Sequence, residues 1–416
     1  MPANGPAVAA APLSLPVSID DIRAARERIR DVIYHSPCPY SLTLSRLCGC
    51  DVYCKFEHLQ MTGSFKERGA RNKLLQLGDA EKRRGVIAAS AGNHALALAY
   101  HGRELGVPVT VVMPRWAPLV KVANCRSFGA EIIFCGESYD EARARARELS
   151  QERAVPYIPG FDDAAIIAGA GTVALEVLED VPDVDVIIVP VGGGGLIAGV
   201  GAAVKSLRPE VRIVGVEAQR APTVDASLKA GRVTRIATRP TLADGLAVAE
   251  VGKLCFDIIR ATVDQLLLVD EAQIARAVLR LLELEKTVVE GGGAVPLAAA
   301  MDPAVDLAGK KVVLLLSGGN IDVSVIGKII ERGLAADGRI CRIIARMSDR
   351  PGSLARLTSV LASAGASVDD VRHDRQFGPA DIGIVAISCV LETRDAQHIS
   401  EIGDALTKAG IDHEMR

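Results

Sequence analysis

The chain has 416 residues, 49% of them hydrophobic, which is enough for two or three domains with sizeable cores. A formal net charge of -3 without a basic stripe argues against nucleic acid or an anionic membrane as a partner. No apolar run is long enough to span a bilayer. Residues 1–16 are rich in Ala and Pro and lack the features of a signal peptide, so they are predicted to form a disordered tail.

The nine cysteines are an odd number, which fits free thiols in a reducing cytoplasm. Cys48, Cys50 and Cys54 cluster, but no second ligand pair follows them. Structural or free thiols are therefore expected at these positions in preference to a metal site.

Helices and strands alternate along most of the chain. Ser18 starts a helix predicted over Ile22–Ile33, Val52–Lys55 is a short predicted strand, and residues 62–64 are predicted to cap the helix that carries Lys66. The elements predicted beyond it are Val86–Ala89, Asn93–Leu105, Val109–Met113, Ala117–Phe128, Glu131–Phe134, Tyr139–Arg153, Val184–Val189, Ile213–Val216 and Val312–Leu316. This alternation predicts an α/β fold with a mostly parallel, twisted sheet and helices on both faces.

Residues 333–338 contain two glycines among small residues and are predicted to form a linker. The segment 339–416 then follows the order β-α-β-β-α-β, which predicts a ferredoxin-like module. Its elements are predicted at Arg342–Met347, Pro351 to Ala364, Ser367–Arg372, Ile382–Leu391, Ala396–Ala409 and a short final strand. The loop Asp349-Arg350-Pro351-Gly352-Ser353-Leu354 resembles the ACT family of small regulatory domains that bind amino acids.

Four short segments carry the chemistry, and each lies beside a predicted strand or opens a helix. They are Ser64-Phe65-Lys66-Glu67-Arg68-Gly69, Ser90-Ala91-Gly92-Asn93-His94, Gly192-Gly193-Gly194-Gly195 and Ser317-Gly318-Gly319-Asn320. In this order they resemble the pyridoxal-phosphate enzymes of the threonine and serine dehydratase family. The resemblance implies a two-lobed catalytic domain of the tryptophan synthase β type over residues 17–332, with a smaller lobe inserted at about 52–160, and pyridoxal 5'-phosphate as the cofactor.

Lys66 is the predicted catalytic residue. A lysine amine can form a Schiff base with the aldehyde of pyridoxal phosphate, which then serves as an electron sink. The positive end of a helix dipole disfavours protonation of Lys66, and a neutral amine suits both the Schiff base and abstraction of a proton. Phe65 flanks the cofactor ring, as the resemblance implies, or packs in the core.

The tetraglycine Gly192 to Gly195, with Leu196, follows a buried strand and opens an apolar helix. Its backbone N–H groups can close on a phosphate, and the resemblance implies that they form the phosphate cradle. An alternative stays open, because Gly193-x-Gly195-x-x-Ala198 also matches a dinucleotide fingerprint, with Glu217 at the spacing of a ribose ligand. That alternative predicts an NAD-binding oxidoreductase, whereas the other three segments favour pyridoxal phosphate.

Substrate contacts are predicted at Ser90 to His94, where free N–H groups at a helix start would bind a carboxylate. The resemblance implies that Asn93 contacts the ring hydroxyl, that the Ser317 hydroxyl meets the pyridine nitrogen, and that Glu290 lies near the cofactor. A neutral hydroxyl does not hold that nitrogen protonated, so elimination is favoured over transamination. Related racemases carry a Ser where Ala91 stands, and racemisation is therefore not expected.

The resemblance implies conversion of L-threonine, and of L-serine, to a 2-oxo acid and ammonia. Lys66 would take the α-proton, and the β-hydroxyl would leave as water after protonation by the cofactor phosphate. The same chemistry on 3-hydroxyaspartate, or mainly on serine, is one alternative, and a non-catalytic amino-acid sensor is another. Some relatives bind a cation through a Glu and an Asp six residues on. Here Glu217 is followed by Thr223, with Asp225 two residues further, so no metal is predicted.

The C-terminal module implies control by an amino-acid effector. The predicted effector site consists of Asp349, Pro351, Gly352, Ser353 and Leu354, at a helix N-terminus. A module that serves dimerisation alone is the alternative. A homodimer or homotetramer in the cytoplasm is expected.

Overall fold

The structure is a computed structural model that describes residues 15–117, 119–374 and 383–415. The chain divides into two compact units, one ending at Ile321 and the other beginning at Asp322. All but the last two residues of the predicted tail, residues 1–16, lie outside the described residues. Leu15 packs against the core of the first unit, so the folded chain includes at least this end of the predicted tail.

The strands and helices of the described residues are numbered here in chain order. The strands are β1 (Asp51–Lys55), β2 (Val86–Ala89), β3 (Val109–Met113), β4 (Glu131–Phe134), β5 (Val186–Pro190), β6 (Arg212–Ala218), β7 (Gln265–Val269), β8 (Lys311–Leu315), β9 (Ile340–Ser348), β10 (Ser367–Asp374), β11 (Ile384–Glu392) and β12 (Asp412–Met415). The helices are α1 (Ile19–Ile29), α2 (Leu42–Cys48), α3 (Lys66–Leu75), α4 (Asp79–Arg84), α5 (Asn93–Leu105), α6 (Leu119–Ser127), α7 (Tyr139–Glu152), α8 (Ala164–Asp180), α9 (Gly195–Leu207), α10 (Thr223–Ala230), α11 (Lys253–Thr262), α12 (Glu271–Leu284), α13 (Gly291–Ala300), α14 (Val323–Ala336), α15 (Ser353–Ser363) and α16 (Ala396–Lys408).

The large lobe of the first unit is built on a five-stranded sheet with the order β1-β8-β5-β6-β7, in which every pairing is parallel. Its central strands are rich in Val, Ile and Leu, as strands covered on both faces require. Helices α8 and α9 approach closely, because a Cβ on Gly199 would lie 2.6 Å from the backbone nitrogen of Gly171. This packing holds the start of α9, and the tetraglycine before it, against the sheet.

The smaller lobe is built on the parallel sheet β2-β3-β4 and has a separate core that includes Ala70 and Leu74 of α3. The predicted start of this lobe at residue 52 is wrong, because β1 pairs with β8 in the large sheet, Cys54 opposite Leu314. A short buried strand does not show in its own sequence which sheet it joins.

Several local predictions are corrected by the structure. Helix α1 begins earlier than predicted, directly after its cap Ser18. The residues 62–64 do not cap α3, whose N-cap is Phe65 without a side-chain hydrogen bond. Gly333 to Ala336 belong to α14 and are not a linker, because the small residues there include alanines, which favour helices; only Gly338 leaves the helical region, with φ of 69°.

The second unit is an antiparallel sheet with the order β10-β11-β9-β12, and α15 and α16 complete the predicted β-α-β-β-α-β order. It has its own core, which includes Ile343, Leu357 and Ile402. Helix α15 begins at Ser353, two residues after Pro351, because Gly352 precedes it with a left-handed φ of 95°. Part of the predicted strand Ile382–Leu391, its first residue, lies outside the described residues.

Candidate active site

A cavity of about 330 Å³ lies in the first unit where the loops of the two lobes meet. Its lining contains every residue that the sequence predicts for catalysis, cofactor binding and substrate binding. These residues are Phe65, Lys66, Ser90, Ala91, Gly92, Asn93, His94, Gly192, Gly193, Gly194, Gly195, Leu196, Glu290 and Ser317. The tetraglycine and Ser317 follow β5 and β8 at the carboxyl edge of the large sheet, because the carboxyl ends of parallel strands share one edge of a sheet. Ser90 to His94 follow β2 at the carboxyl edge of the smaller sheet.

Lys66 is the first residue of α3, and its Nζ donates a hydrogen bond to the carbonyl oxygen of Gly160 (2.6 Å). Burial lowers the pKa of Lys66 from 10.5 to about 8, since a charged amine loses solvation inside the protein. The turn before it is anchored to the end of β8: the Phe65 N–H donates to the Ser317 carbonyl (3.0 Å), and Ser64 bridges to Gly318. The amine is therefore fixed in the cavity in a form that can be neutral near physiological pH.

Phe65 lines the cavity and also packs against the core of the large lobe. The Nζ of Lys66 lies 5.1 Å from the centre of its ring. The two interpretations of Phe65, a residue beside the cofactor and a core residue, are thus compatible.

An ion network lies directly behind Lys66. Arg68 is buried and donates from Nε to Glu57 (2.7 Å) and from Nη1 to Glu176 (2.6 Å). Lys55 also pairs with Glu176 (2.9 Å). These side chains come from β1 and the turn after it, from α3 and from α8, so they tie three segments of the chain together next to Lys66.

The turn between β2 and α5 carries Ser90 to His94. Gly92 precedes α5, and the first N–H groups of a helix have no acceptor within the helix. Nε2 of His94 donates to the Ile158 carbonyl (3.1 Å), and burial lowers the pKa of His94 to about 3. A neutral His94 adds no charge of its own to the cavity.

Asn93 joins two further segments at the cavity. Its Nδ2 donates to Oε1 of Glu290 (2.8 Å), and its Oδ1 accepts from Nδ2 of Asn320 (2.8 Å). Burial, with the nearby Asp244, raises the pKa of Glu290 to about 7. A Cβ on Gly318 would overlap the Glu290 carboxyl group, so a larger residue there would displace this carboxyl group.

The tetraglycine turn connects β5 to α9, and Gly194 has a left-handed φ of 93°. A Cβ on Gly193 would overlap the ring of Phe161, so a side chain there cannot be accommodated. The backbone N–H groups of this turn and of the first turn of α9 face an anion-binding position at the positive end of a helix. They suit a phosphate group.

A family model described as pyridoxal-phosphate dependent enzyme matches residues 29–318. The chain belongs to this family. The L-threonine ammonia-lyase of Thermotoga maritima is 44% identical over 396 residues, which cover 95% of this chain and 98% of that protein. The processed form of threonine deaminase isoform 2 from Solanum lycopersicum is similar in structure, with a TM-score of 0.72 and 35% identity over 77% of this chain and 92% of that chain. Maize serine racemase gives a TM-score of 0.72 and 34% identity over 77% of this chain and 98% of that chain.

The residues present fit the cofactor of the family. A buried amine with a lowered pKa, that of Lys66, can react with an aldehyde. The glycine turn before α9 can hold a phosphate, and the amide of Asn93 lines the same cavity. The amine suits the aldehyde of pyridoxal phosphate and the glycine turn suits its phosphate.

Glu217, which the dinucleotide alternative requires at a ribose, is buried away from the cavity. Its carboxylate accepts the backbone N–H groups of Val224 (2.7 Å) and Asp225 (2.9 Å), and burial raises its pKa to about 7. It therefore caps α10. With the family established, the NAD-binding alternative is wrong. Within the described ranges, no group of three or more His, Cys, Asp or Glu is arranged to hold a metal ion.

The cavity also contains residues that sequence reasoning missed. Nζ of Lys121, from α6 of the smaller lobe, pairs with Oδ2 of Asp244 (2.8 Å), which lies in the loop before α11 of the large lobe. Tyr139, Phe161 and Leu246 also line it. The one available signal was the long segment 232–252, which has no helix or strand pattern, because loops of that length in compact domains are commonly functional.

The predicted effector residues of the second unit line a separate cavity of about 450 Å³. Asp349, Pro351, Gly352, Ser353 and Leu354 form one side of it, at the start of α15. Val385 and Ile387 of β11 supply an apolar surface.

Proposed function

We propose that this enzyme is a threonine ammonia-lyase that converts L-threonine to 2-oxobutanoate and ammonia, and L-serine to pyruvate and ammonia. The observation that carries the proposal is the 44% identity to the Thermotoga maritima enzyme of that name over 95% of this chain. An alignment of 396 residues necessarily includes most of the second unit as well as the first.

The chain's own residues supply the binding and the proton transfer. Pyridoxal phosphate, when bound, supplies an electron sink for negative charge that develops at the substrate's Cα. The N–H groups at the start of α5 receive the substrate carboxylate. Lys66 accepts the α-proton at Nζ, because its lowered pKa leaves a useful neutral fraction. The proton is then held beside the Gly160 carbonyl, to which Nζ already donates.

Ala91 distinguishes elimination from racemisation. Racemisation requires an acid or base on the face of Cα opposite Lys66, and the methyl group of Ala91 can neither give nor take a proton.

The test measures ammonia and 2-oxo acid released from L-threonine, L-serine and 3-hydroxyaspartate. Lys66→Ala should lower kcat by about 10²–10⁴-fold or more, as expected for loss of a positioned base. Lys73→Ala is the matched control, because Lys73 lies on the same helix but pairs with Asp163 (2.7 Å) outside the active-site cavity. Undiminished release by Lys66→Ala, or formation of the D-amino acid as the main product, would overturn the proposal.

We also propose that the second unit is an ACT-type regulatory module that binds an amino acid at Asp349, Pro351, Gly352, Ser353 and Leu354. The β-α-β-β-α-β order and the polar and apolar lining of its cavity support this. An effector that binds there changes threonine turnover, and by linkage the substrate changes effector affinity. Turnover is measured across a panel of amino acids, and Asp349→Asn should blunt the response; a response equal to that of the wild type contradicts the assignment.

The domain boundary predicted at residues 333–338 lies inside the second compact unit, which begins at Asp322. Assembly into a homodimer or homotetramer and a cytoplasmic location stay predictions. Within the ranges that the structure describes, no helix combines the length and the apolar character needed to cross a bilayer.

A further inference from the structure

A second cavity, of about 820 Å³, lies beside the active site within the first unit. Helices α7 and α11 and the segment 157–163 all contribute residues to its lining. Tyr139, Gly160 and Phe161 line both this cavity and the active site. The two cavities therefore share a wall formed by these residues.

Basic side chains converge on this second cavity. Five of them line it: Arg143, Arg147, Arg232, Lys253 and Arg260. Residues four or seven positions apart share one face of a helix. This spacing applies to Arg143 and Arg147 on α7 and to Lys253 and Arg260 on α11, so each helix presents a pair of cations to the same space.

Most of these cations have no carboxylate partner. Arg143 lies 3.8 Å from Asp140, but among the described residues no carboxylate oxygen lies within 4.0 Å of the side-chain nitrogens of the other four. Two guanidinium groups are held by aromatic rings instead. Arg147 lies 5.7 Å from the centre of the Tyr157 ring, and Arg260 lies 5.5 Å from that of Phe256.

The acidic residues of the cavity are mostly engaged elsewhere. Asp162 accepts the backbone N–H groups at the start of α11, for example from Leu254 (2.9 Å). Asp163 pairs with Lys73 (2.7 Å), and Glu250 lies 3.9 Å from Arg235. Asp257 is the only acid of this lining with no partner recorded among the described residues. Asp162 and Asp257 offset part of the positive charge of the four cations that lack a carboxylate partner, and an excess of positive charge remains in the cavity, although the whole chain has a net charge of -3.

We propose that this cavity binds a small polyanion through the guanidinium groups of Arg147 and Arg260 and the ammonium group of Lys253. Planar guanidinium groups bind phosphate and carboxylate oxygens in pairs, so the ligand carries two or more such groups. The site is distinct from the substrate site, and the proposal does not depend on which amino acid the enzyme deaminates.

The shared wall couples this site to the active site. The carbonyl of Gly160 accepts the hydrogen bond from Nζ of Lys66, and the ring of Phe161 lies against Gly193 of the phosphate cradle. A ligand that shifts the segment 157–163 changes the surroundings of both groups. Binding of the polyanion and binding of the cofactor therefore influence each other reciprocally.

The test uses the holoenzyme, in which the phosphate cradle is filled by the cofactor. Isothermal titration calorimetry at low salt measures the binding of pyrophosphate and of succinate, two probes that distinguish a phosphate from a carboxylate ligand. The double variant Arg147→Ala/Arg260→Ala should raise the Kd of the tighter probe at least ten-fold, about 1.4 kcal/mol, and added salt should weaken binding to the wild type.

Arg145→Ala is the matched control, because Arg145 lies on the same helix but pairs with Glu148 and Glu152; its Kd should equal that of the wild type. If circular dichroism shows that the double variant is unfolded, Lys253→Gln replaces it and should also weaken binding. Failure of both probes to bind the wild type, or equal Kd values for wild type and variant, overturns the proposal. Turnover is not measured, so failure here is separate from failure of the proposed function.

Discussion

The apo-enzyme should take up pyridoxal phosphate at Lys66 with a rate that rises with pH and levels off above about pH 8. Burial lowers the pKa of Lys66 from 10.5 to about 8, and only the neutral amine attacks an aldehyde. At pH 7 roughly 9% of Lys66 would then be neutral, against roughly 0.03% of an ordinary lysine. The enrichment in reactive amine is therefore about 300-fold at that pH.

The assay follows the absorbance change after rapid mixing of apo-enzyme and cofactor over a series of pH values. N-acetyl-lysine amide is measured in parallel with the same cofactor, because its amine has an ordinary pKa. Lys66→Ala should show no covalent uptake. A rate that keeps rising to about pH 10, as for the model amine, would refute the argument that burial tunes this lysine.

Arg68→Met should lower the free energy of unfolding in urea by about 3–5 kcal/mol, because two buried glutamates lose their shared cation. A urea concentration at half-unfolding equal to that of the wild type would contradict this. Gly193→Ala should weaken cofactor binding roughly ten-fold or more, because the new Cβ overlaps Phe161. Equilibrium dialysis measures this binding. The control Gly327→Ala has open space at its Cβ and should leave cofactor binding unchanged. Glu217 keeps its proton to about pH 7 when folded and to 4.5 when unfolded, so its contribution to stability is lost as pH rises through that window. In Glu217→Gln the free energy of unfolding in urea should fall less between pH 5 and 7 than it does in the wild type. The same fall in both proteins would contradict the raised pKa of Glu217.

The sequence predicted the ends of helices and strands best where glycines or polar capping residues mark those ends. Helix α5 has the predicted bounds, because Gly92 precedes it and Gly106 ends it with a left-handed φ of 66°. Helix α8 was not predicted. Every residue from Ile166 to Val177 is buried, so this stretch has no exposed polar face, and a helix buried all round shows no period of 3.6 in its hydrophobicity.

The candidate site was predictable where its chemistry is local. A turn of glycines after a strand, or a lysine at a helix start, can be recognised within a few residues. The pair of Lys121 and Asp244 could not be found in this way, because its members are 123 positions apart and each resembles an ordinary surface charge. Their meeting follows from how the two lobes pack, which no short segment encodes.

The ion network around Arg68 shows what such long-range packing supplies to the chemistry. A buried ion pair is weak evidence for stability, because apolar side chains of similar volume often pack equally well. Its distinctive effect is geometric, since the guanidinium group must meet the carboxylates of Glu57 and Glu176 in fixed directions. Lys66 lies only two residues earlier on the same helix. The network therefore fixes the position of that helix start relative to β1 and α8, and with it the place of the amine in the cavity.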